Sequence, residues 1–235
     1  MSENILEVVD LHVYIGSSHI LQGLSFEVIK GGVTALLGRN GAGKSTTLRS
    51  IISLVSARSG KIIFCGKEIQ NLPPYNIKKV SYVPEDRGIF STLTVEENFR
   101  VASRYKGDKL QESLETVFSL FPDLKKFWKN SAGSLSGGQK QMLAIGRALA
   151  NDVDLMLVDE PSKALAPIIV EKMIESLAEI SKNTTILLVE QNLFFAESLS
   201  HSCIIVDDGT AVFSGPMKQI ASDKGLREQY LGVGY

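Results

Sequence analysis

Val33-Thr34-Ala35-Leu36-Leu37-Gly38-Arg39-Asn40-Gly41-Ala42-Gly43-Lys44-Ser45 is the stretch on which the fold turns. Its first five residues form an apolar run short enough for a buried strand. Thr46-Thr47-Leu48-Arg49-Ser50-Ile51-Ile52, after the glycines, reads as a helix. A strand, a Gly-rich turn and a helix opening on Gly-Lys-Ser is the context that a phosphate-binding P-loop requires. The glycines let successive backbone N–H groups from Gly38 to Thr46 point into one concavity, and the helix N-terminus adds partial positive charge. Lys44 is placed to reach the β- and γ-phosphates, and the Ser45 hydroxyl to complete the shell of a Mg²⁺. A turn that only links strand to helix is the competing reading, and the flanking elements count against it. The loop points to a nucleotide without saying what the nucleotide is for.

The composition is that of an ordinary soluble globular chain: 235 residues, 44% hydrophobic and 22% charged. A net charge of −1 gives no electrostatic case for a nucleic-acid partner. Cys65 and Cys203 have apolar or small neighbours and form no C-x-x-C pair, so both are expected to be buried free thiols in a reducing compartment. Met1-Ser2-Glu3-Asn4 lacks a signal pattern. No apolar run approaches the roughly 18 residues of a membrane span. The expected setting is cytosolic, with any membrane role exercised through a spanning partner.

Outward from the P-loop, Ile5 to Val9 reads as a strand. Leu21 to Val28 alternates Leu24, Phe26 and Val28 with polar residues, as a half-buried antiparallel strand does. Lys30-Gly31-Gly32 is a turn. Gly60 to Phe64 reads as a further strand, and Val80 to Val83 as one stopped by Pro84. At Thr94-Val95-Glu96-Glu97 a capping box opens a helical stretch to about residue 130, with Leu110, Leu114, Val117, Phe118 and Phe121 at helical spacing. Lys125 to Lys129 is expected to be a solvated helix end.

Leu135-Ser136-Gly137-Gly138-Gln139 precedes a clear helix. Ser136 can cap it, leaving the N–H groups of Gly137 and Gly138 free for an anion. Leu155-Met156-Leu157-Val158-Asp159-Glu160 is a continuous apolar run ending in two acids, as in a parallel strand buried on both faces. Carboxylates at its C-terminal end lie where open α/β sheets place ligands. Asp159 is a candidate for holding Mg²⁺ through water, and Glu160 for accepting a proton from attacking water. Pro167 opens a helix with Val170, Met173, Ile174 and Leu177 as its buried stripe. Thr185 to Val189 is a buried strand ending in Glu190-Gln191-Asn192, and Asp207-Asp208-Gly209 is a hairpin signal.

Gly38–Ser45, Leu135–Gln139 and Leu155–Glu160, in that order, resemble the ATP-binding subunit of an ABC transporter over essentially the whole chain. Tyr82 to Arg87, Met142 to Leu149, Leu165-Ala166-Pro167, Leu188 to Asn192 and Tyr230-Leu231-Gly232 resemble one branch of it. That branch comprises the ATP-binding subunits of branched-chain amino acid importers, the smaller of their two kinds in particular. Relatives serving urea and amides are similar. The resemblance implies a single α/β domain over residues 1–235. It would have a P-loop NTPase core, an N-terminal antiparallel β subdomain and an inserted helical subdomain at about 86–150.

It also implies ATP and Mg²⁺ as cofactors, with Ser45, Glu85 and Asp159 at the metal. The implied partners are a second ATP-binding subunit docked head to tail and two membrane permease subunits, with an extracytoplasmic solute-binding protein acting indirectly. The location implied is the cytoplasmic face of the membrane. Each ATP would lie between one chain's P-loop and the partner's Ser136-Gly137-Gly138-Gln139 turn.

Several positions depart from the commonest pattern of the family. Glu85 stands where a glutamine is usual, Ala166 replaces an aspartate, and Gln191 replaces the switch histidine. Lys163 is unexpected. Glutamine cannot act as a general base near neutral pH, but it can orient water or hold the γ-phosphate. Catalysis would then rest on Glu160, Gln191 and Lys44. Tyr14 and Ile15 are both candidates for contact with adenine, because neighbours on a strand face opposite sides. The departures leave room for a subunit that binds ATP and barely hydrolyses it. A soluble ABC ATPase of repair or translation is disfavoured by the neutral charge and the lack of a coiled-coil insertion.

Overall fold

The alternating and fully apolar strands predicted by the sequence assemble into two sheets. The computed structural model describes residues 3–232, so Met1 and Ser2 of the N-terminal reading, and the end of the 1–235 span, lie outside the described residues. Asn4–Ile15 (β1) and Ser18–Ile29 (β2) form an antiparallel hairpin. Both strands are longer than the sequence suggested. Asp10 takes a positive φ of 49°, and its N–H donates to Ser25 Oγ at 2.8 Å. The strand therefore passes through a bulge at this point and continues to Ile15. Gly23, at φ 85°, breaks the alternation of the partner strand, so that Leu21 and Leu24 both face inward.

Val33–Leu37 (β3) leads through the P-loop into Lys44–Ile51 (α1). Ser59–Phe64 (β4) and Lys67–Glu68 (β5) join the hairpin in a four-stranded antiparallel sheet of order β2-β1-β4-β5. Between them Cys65 (φ 48°) and Gly66 (φ 73°) make a two-residue turn. Cys65 is consequently exposed, contrary to the sequence expectation, while Cys203 is buried.

Val80–Val83 (β6) begins the second half. The helical stretch after it is interrupted. Val95–Ala102 (α2) ends at a turn in which Arg104 N–H donates to Asn151 Oδ1 and Gly107 takes a φ of 58°. Asp108–Leu120 (α3) and Pro122–Lys126 (α4) follow, and Gly137–Ala148 (α5) closes the helical segment. The basic run is only half solvated. Lys126 pairs with Asp123 and Lys129 with Glu96, whereas Trp128 packs edge-on against Phe118.

Leu155–Asp159 (β7), Pro167–Ile180 (α6), Thr185–Val189 (β8) and Leu193–Leu199 (α7) complete the parallel core. Ser202–Asp207 (β9) and Thr210–Pro216 (β10) make the expected hairpin around Asp208 and Gly209, both at positive φ. Met217–Ser222 (α8), Lys224–Leu226 (α9) and a π-helical turn at Arg227–Leu231 end the described chain.

The second sheet has the order β10-β9-β3-β8-β7-β6 and is parallel except for β10. Its two faces sort alternate residues into different cores. Leu155, Leu157, Leu187 and Val189 pack with Leu48 and Ile51 of α1 and the inner face of the antiparallel sheet. Met156, Val158, Ile186 and Leu188 pack instead with Val170, Met173 and Leu177 of α6 and with the helical segment. Burial on both faces is why β3, β7 and β8 are apolar but for Thr34, Asp159 and Thr185. The C-terminal ends of β3, β7 and β8 thereby meet along one edge, with β6 beside β7.

Candidate functional site

The P-loop is held in shape by close approaches that only glycine allows. Gly38 sits at φ 144°, where a Cβ would lie 2.1 Å from Val206 O; Gly43 sits at φ 107°, with Leu21 Cδ2 at 2.7 Å from such an atom. Gly41, at φ 85°, faces open space. α1 starts at Lys44 with no side-chain cap and no acid in its first turn, so its first N–H groups are left for an external acceptor. Lys44 is buried and folds back along the loop, its Nζ donating to Gly38 O at 2.7 Å and Arg39 O at 2.9 Å. Burial pushes its pKa below the ordinary lysine value, against the pull of the Glu160 and Asp159 carboxylates.

Asp159, at the end of β7, is fully buried. It accepts from Ser45 Oγ at 3.0 Å on one oxygen and from the Tyr82 hydroxyl at 3.2 Å on the other. Burial raises its pKa while those two hydrogen bonds lower it. Burial likewise pushes the Tyr82 phenol up to about 12, which keeps it a donor. Glu160 follows at a left-handed φ of 46°, with its N–H donating to Val189 O at 2.9 Å. One of its carboxylate oxygens accepts from Gln191 Nε2, and the other lies 3.5 Å from Lys163 Nζ. Lys163 also pairs with Glu85 at 2.5 Å.

A cleft of about 400 Å³ collects Asn40, Gly41, Gly43, Lys44, Ser45 and Thr46 together with Glu85, Glu160, Lys163 and Gln191. Four segments far apart in sequence are thus brought to one place. Arg39 departs from them: its guanidinium donates to Glu228 O at 3.3 Å in the C-terminal segment. Ala42 is buried among the apolar side chains. Ser136 caps α5 with Gln139 in a reciprocal box, leaving the Gly137 and Gly138 N–H groups without an intrahelical acceptor. None of Ser136, Gly137, Gly138 or Gln139 lines the P-loop cleft of its own chain.

Neither Tyr14 nor Ile15 lines it either. Tyr14 stacks on His19 with ring centroids 4.2 Å apart, and His19 in turn contacts His12. Ile15 pairs with Ser18 beyond a register shift at Val13–Tyr14 and is half exposed.

Among the described residues no three His, Cys, Asp or Glu side chains gather into a metal site. The donor set fits Mg²⁺ nonetheless, because that ion is usually held by a few protein oxygens and the phosphates of its nucleotide. The touching Ser45 hydroxyl and Asp159 carboxylate supply such oxygens.

The sequence missed one anchor, Glu190. It is 2% exposed and accepts from three backbone N–H groups: Ser162 at 2.9 Å, and Gln191 and Asn192 each at 3.1 Å. Those bonds tie the turn after Glu160 to the loop carrying Gln191. An acid after an apolar strand was visible, but its three donors were not. Glu190→Gln places an amide N–H where one side of this network needs an acceptor. We expect a loss of about 1.5 kcal/mol, measurable by denaturant unfolding, with an undiminished midpoint as the contrary result.

A family model described as ABC transporter matches residues 21–163. The high-affinity branched-chain amino acid transport ATP-binding protein BraG of Pseudomonas aeruginosa is 40% identical over 93% of this chain and 96% of its own. The probable branched-chain amino acid transport ATP-binding protein LivF of Archaeoglobus fulgidus is 34% identical over 97% and 99%. Among solved structures, a nucleotide-free ATP-binding cassette from an ABC transporter superposes with a TM-score of 0.84 at 26% identity, over 99% of this chain and all of that one. Sequence and fold agree, and the chain belongs to the ABC transporter family as one of its ATPases.

Proposed function

We propose that this chain is the ATP-binding subunit of an ABC importer, hydrolysing ATP to power uptake of branched-chain amino acids through membrane permease subunits. The observation that carries the proposal is the single cleft that joins Lys44 and Ser45 to Glu160, with Asp159 hydrogen-bonded to Ser45 beneath it. The likeness to BraG and LivF supports the choice of solute. The backbone from Gly38 to Thr46 cradles the phosphates, and Lys44 turns from its loop carbonyls toward the terminal ones. Ser45, Asp159 and Glu85 would hold the Mg²⁺, which would supply positive charge against the negative charge developing on the phosphates. Glu160 takes the proton of the attacking water, and Gln191 orients that water through its amide. Ile15 is the side chain that meets adenine, since Tyr14 is engaged by His19.

Two chains dock head to tail, so that the free N–H groups at Gly137 and Gly138 complete the partner's site. That arrangement gives a use to an anion-ready turn lying outside its own chain's cleft. The helical subdomain, about 86–150, carries this turn and moves with it. A second cleft, of about 520 Å³, is lined by Arg49, Lys79, Arg87, Arg104 and Arg147. It opens beside the Glu85 segment and is the surface offered to a permease at the cytoplasmic face of the membrane. No helix of the described residues is long and apolar enough to cross a membrane. Closure on ATP and reopening after hydrolysis would bias the permease between its states.

The test is uptake by the chain reconstituted with the permeases encoded beside it. Leucine, isoleucine and valine should be carried, and urea or short amides should not. Transport of urea alone would move the chain to the neighbouring branch. Single-turnover hydrolysis in the same complex separates an active ATPase from a regulatory subunit that merely holds ATP. With glutamine at position 191, the rate should show no limb near pH 6.5 that Gln191→Ala removes. A limb abolished by that substitution would contradict the role given to Gln191.

A further inference from the structure

At the phosphate end of the cleft stands a cation that a P-loop does not require. Lys163 lies three residues beyond Glu160, in a turn closed by its N–H donating to Glu160 O at 3.2 Å. Its Nζ is 2.5 Å from Glu85 Oε1 and 3.5 Å from Glu160 Oε2. The two carboxylates come from different elements, Glu85 from the loop after β6 and Glu160 from the end of β7. Glu160 is 10% exposed at its side chain and Glu85 38%, so solvent screens the repulsion between them on the Glu85 side and leaves it on the Glu160 side. A divalent cation between the two oxygens would offset that repulsion, and here an ammonium group does so.

The charges of the cleft give this contact a consequence. Glu85, Glu160 and the underlying Asp159 face Lys44 and Lys163, and a nucleoside triphosphate adds several negative charges. Arg49 acts on the buried Asp159 from beneath, so without Lys163 only Lys44 faces Glu85, Glu160 and the phosphates within the cleft. The shortfall would then have to be met by a metal.

We propose that Lys163 is a positioning residue that serves as a resident counter-cation, holding Glu85 and Glu160 together and letting the cleft accept ATP before or without Mg²⁺. The proposal rests on the reading of this cleft as the ATP site. Lys163 would release Glu85 if that carboxylate were to help hold Mg²⁺. Its Nζ would then remain beside Glu160, at the end of the cleft that the terminal phosphate enters.

The experiment compares ATP binding to the full chain by calorimetry in EDTA and in excess Mg²⁺, for the parent and for Lys163→Met. The ratio of the two dissociation constants is internal to each protein, which removes general losses of fold or activity from the comparison. In Lys163→Met that ratio should grow by about tenfold or more, through weaker binding of metal-free ATP. Lys163→Arg keeps the charge and should hold the parent ratio. Lys163→Gln, with its melting temperature measured alongside, repeats the test if the methionine variant folds poorly. In a Glu85→Gln background the effect of removing Lys163 should shrink, because one of the carboxylates it offsets is gone. Equal weakening with and without Mg²⁺, or an unchanged ratio, overturns the role of Lys163 while leaving the ATP site standing. Absence of ATP binding to the parent under both conditions overturns the reading of the cleft, and the proposal with it.

Discussion

Glu160→Gln should bind ATP as the parent does and hydrolyse it about a hundredfold to ten-thousandfold more slowly, the range over which a positioned general base acts. The substitution preserves size and leaves an amide where Gln191 and Lys163 now meet a carboxylate. It removes the carboxylate assigned to take a proton from water, while Glu85, the other acid lining the cleft, is held in an ion pair by Lys163. Asp159, the acid adjacent in sequence, is fully buried and has both oxygens committed to Ser45 and Tyr82. It is therefore not free to substitute. Loss of turnover without loss of binding should trap a nucleotide-bound pair of chains, visible as a stable dimer by size-exclusion chromatography with ATP. Unchanged turnover would sink the assignment of Glu160 as base. Loss of binding together with turnover would mean that the carboxylate serves the ground state instead.

Lys44→Ala should cost about 1.5–3 kcal/mol of ATP binding, the worth of a charged hydrogen bond, or roughly tenfold to 150-fold in affinity. Its ammonium is buried and already points along the loop that receives the phosphates. The folded chain also loses by the change, since the Gly38 and Arg39 carbonyls forfeit their donor. A melting curve without nucleotide separates the two effects. A lower midpoint with unaltered ATP affinity would show a structural lysine, whereas lower affinity is the mark of a phosphate ligand. Lys44→Arg keeps the charge but brings a larger, planar head into a buried site, and should recover only part of the loss.

Much of this site was legible residue by residue. The P-loop strand, the Thr94 capping box, the Ser136 cap, the double acid after a buried strand and the hairpin at Asp208-Gly209 all depend on neighbours within a few residues. Local chemistry determines such features, and the structure has each where the sequence placed it. Cys65 was misjudged for a related reason. Its apolar neighbours suggested burial, but the two-residue turn with Gly66 takes the backbone into positive φ and points the thiol outward. The hairpin strands were cut short because a bulge at Asp10 interrupts the alternation without ending the strand.

By itself, then, the sequence determined that this chain carries a glycine loop before a helix of the kind that cradles phosphate, ends a buried strand in two acids and displays a second capped Gly-Gly turn. Each follows from backbone rules that act over one turn or one strand. Only the tertiary structure decided who meets whom across the cleft. Lys163 was unexplained until Glu85, 78 residues away, was brought against it. Glu190 looked like a strand terminus until the Ser162 N–H, 28 residues away, appeared on its carboxylate. The stacking of Tyr14 on His19, its partner across the hairpin, was likewise decided by the structure. Parallel strands joined by long crossovers gather their C-terminal ends along one edge, and the pairings made there are set by packing that no local pattern encodes.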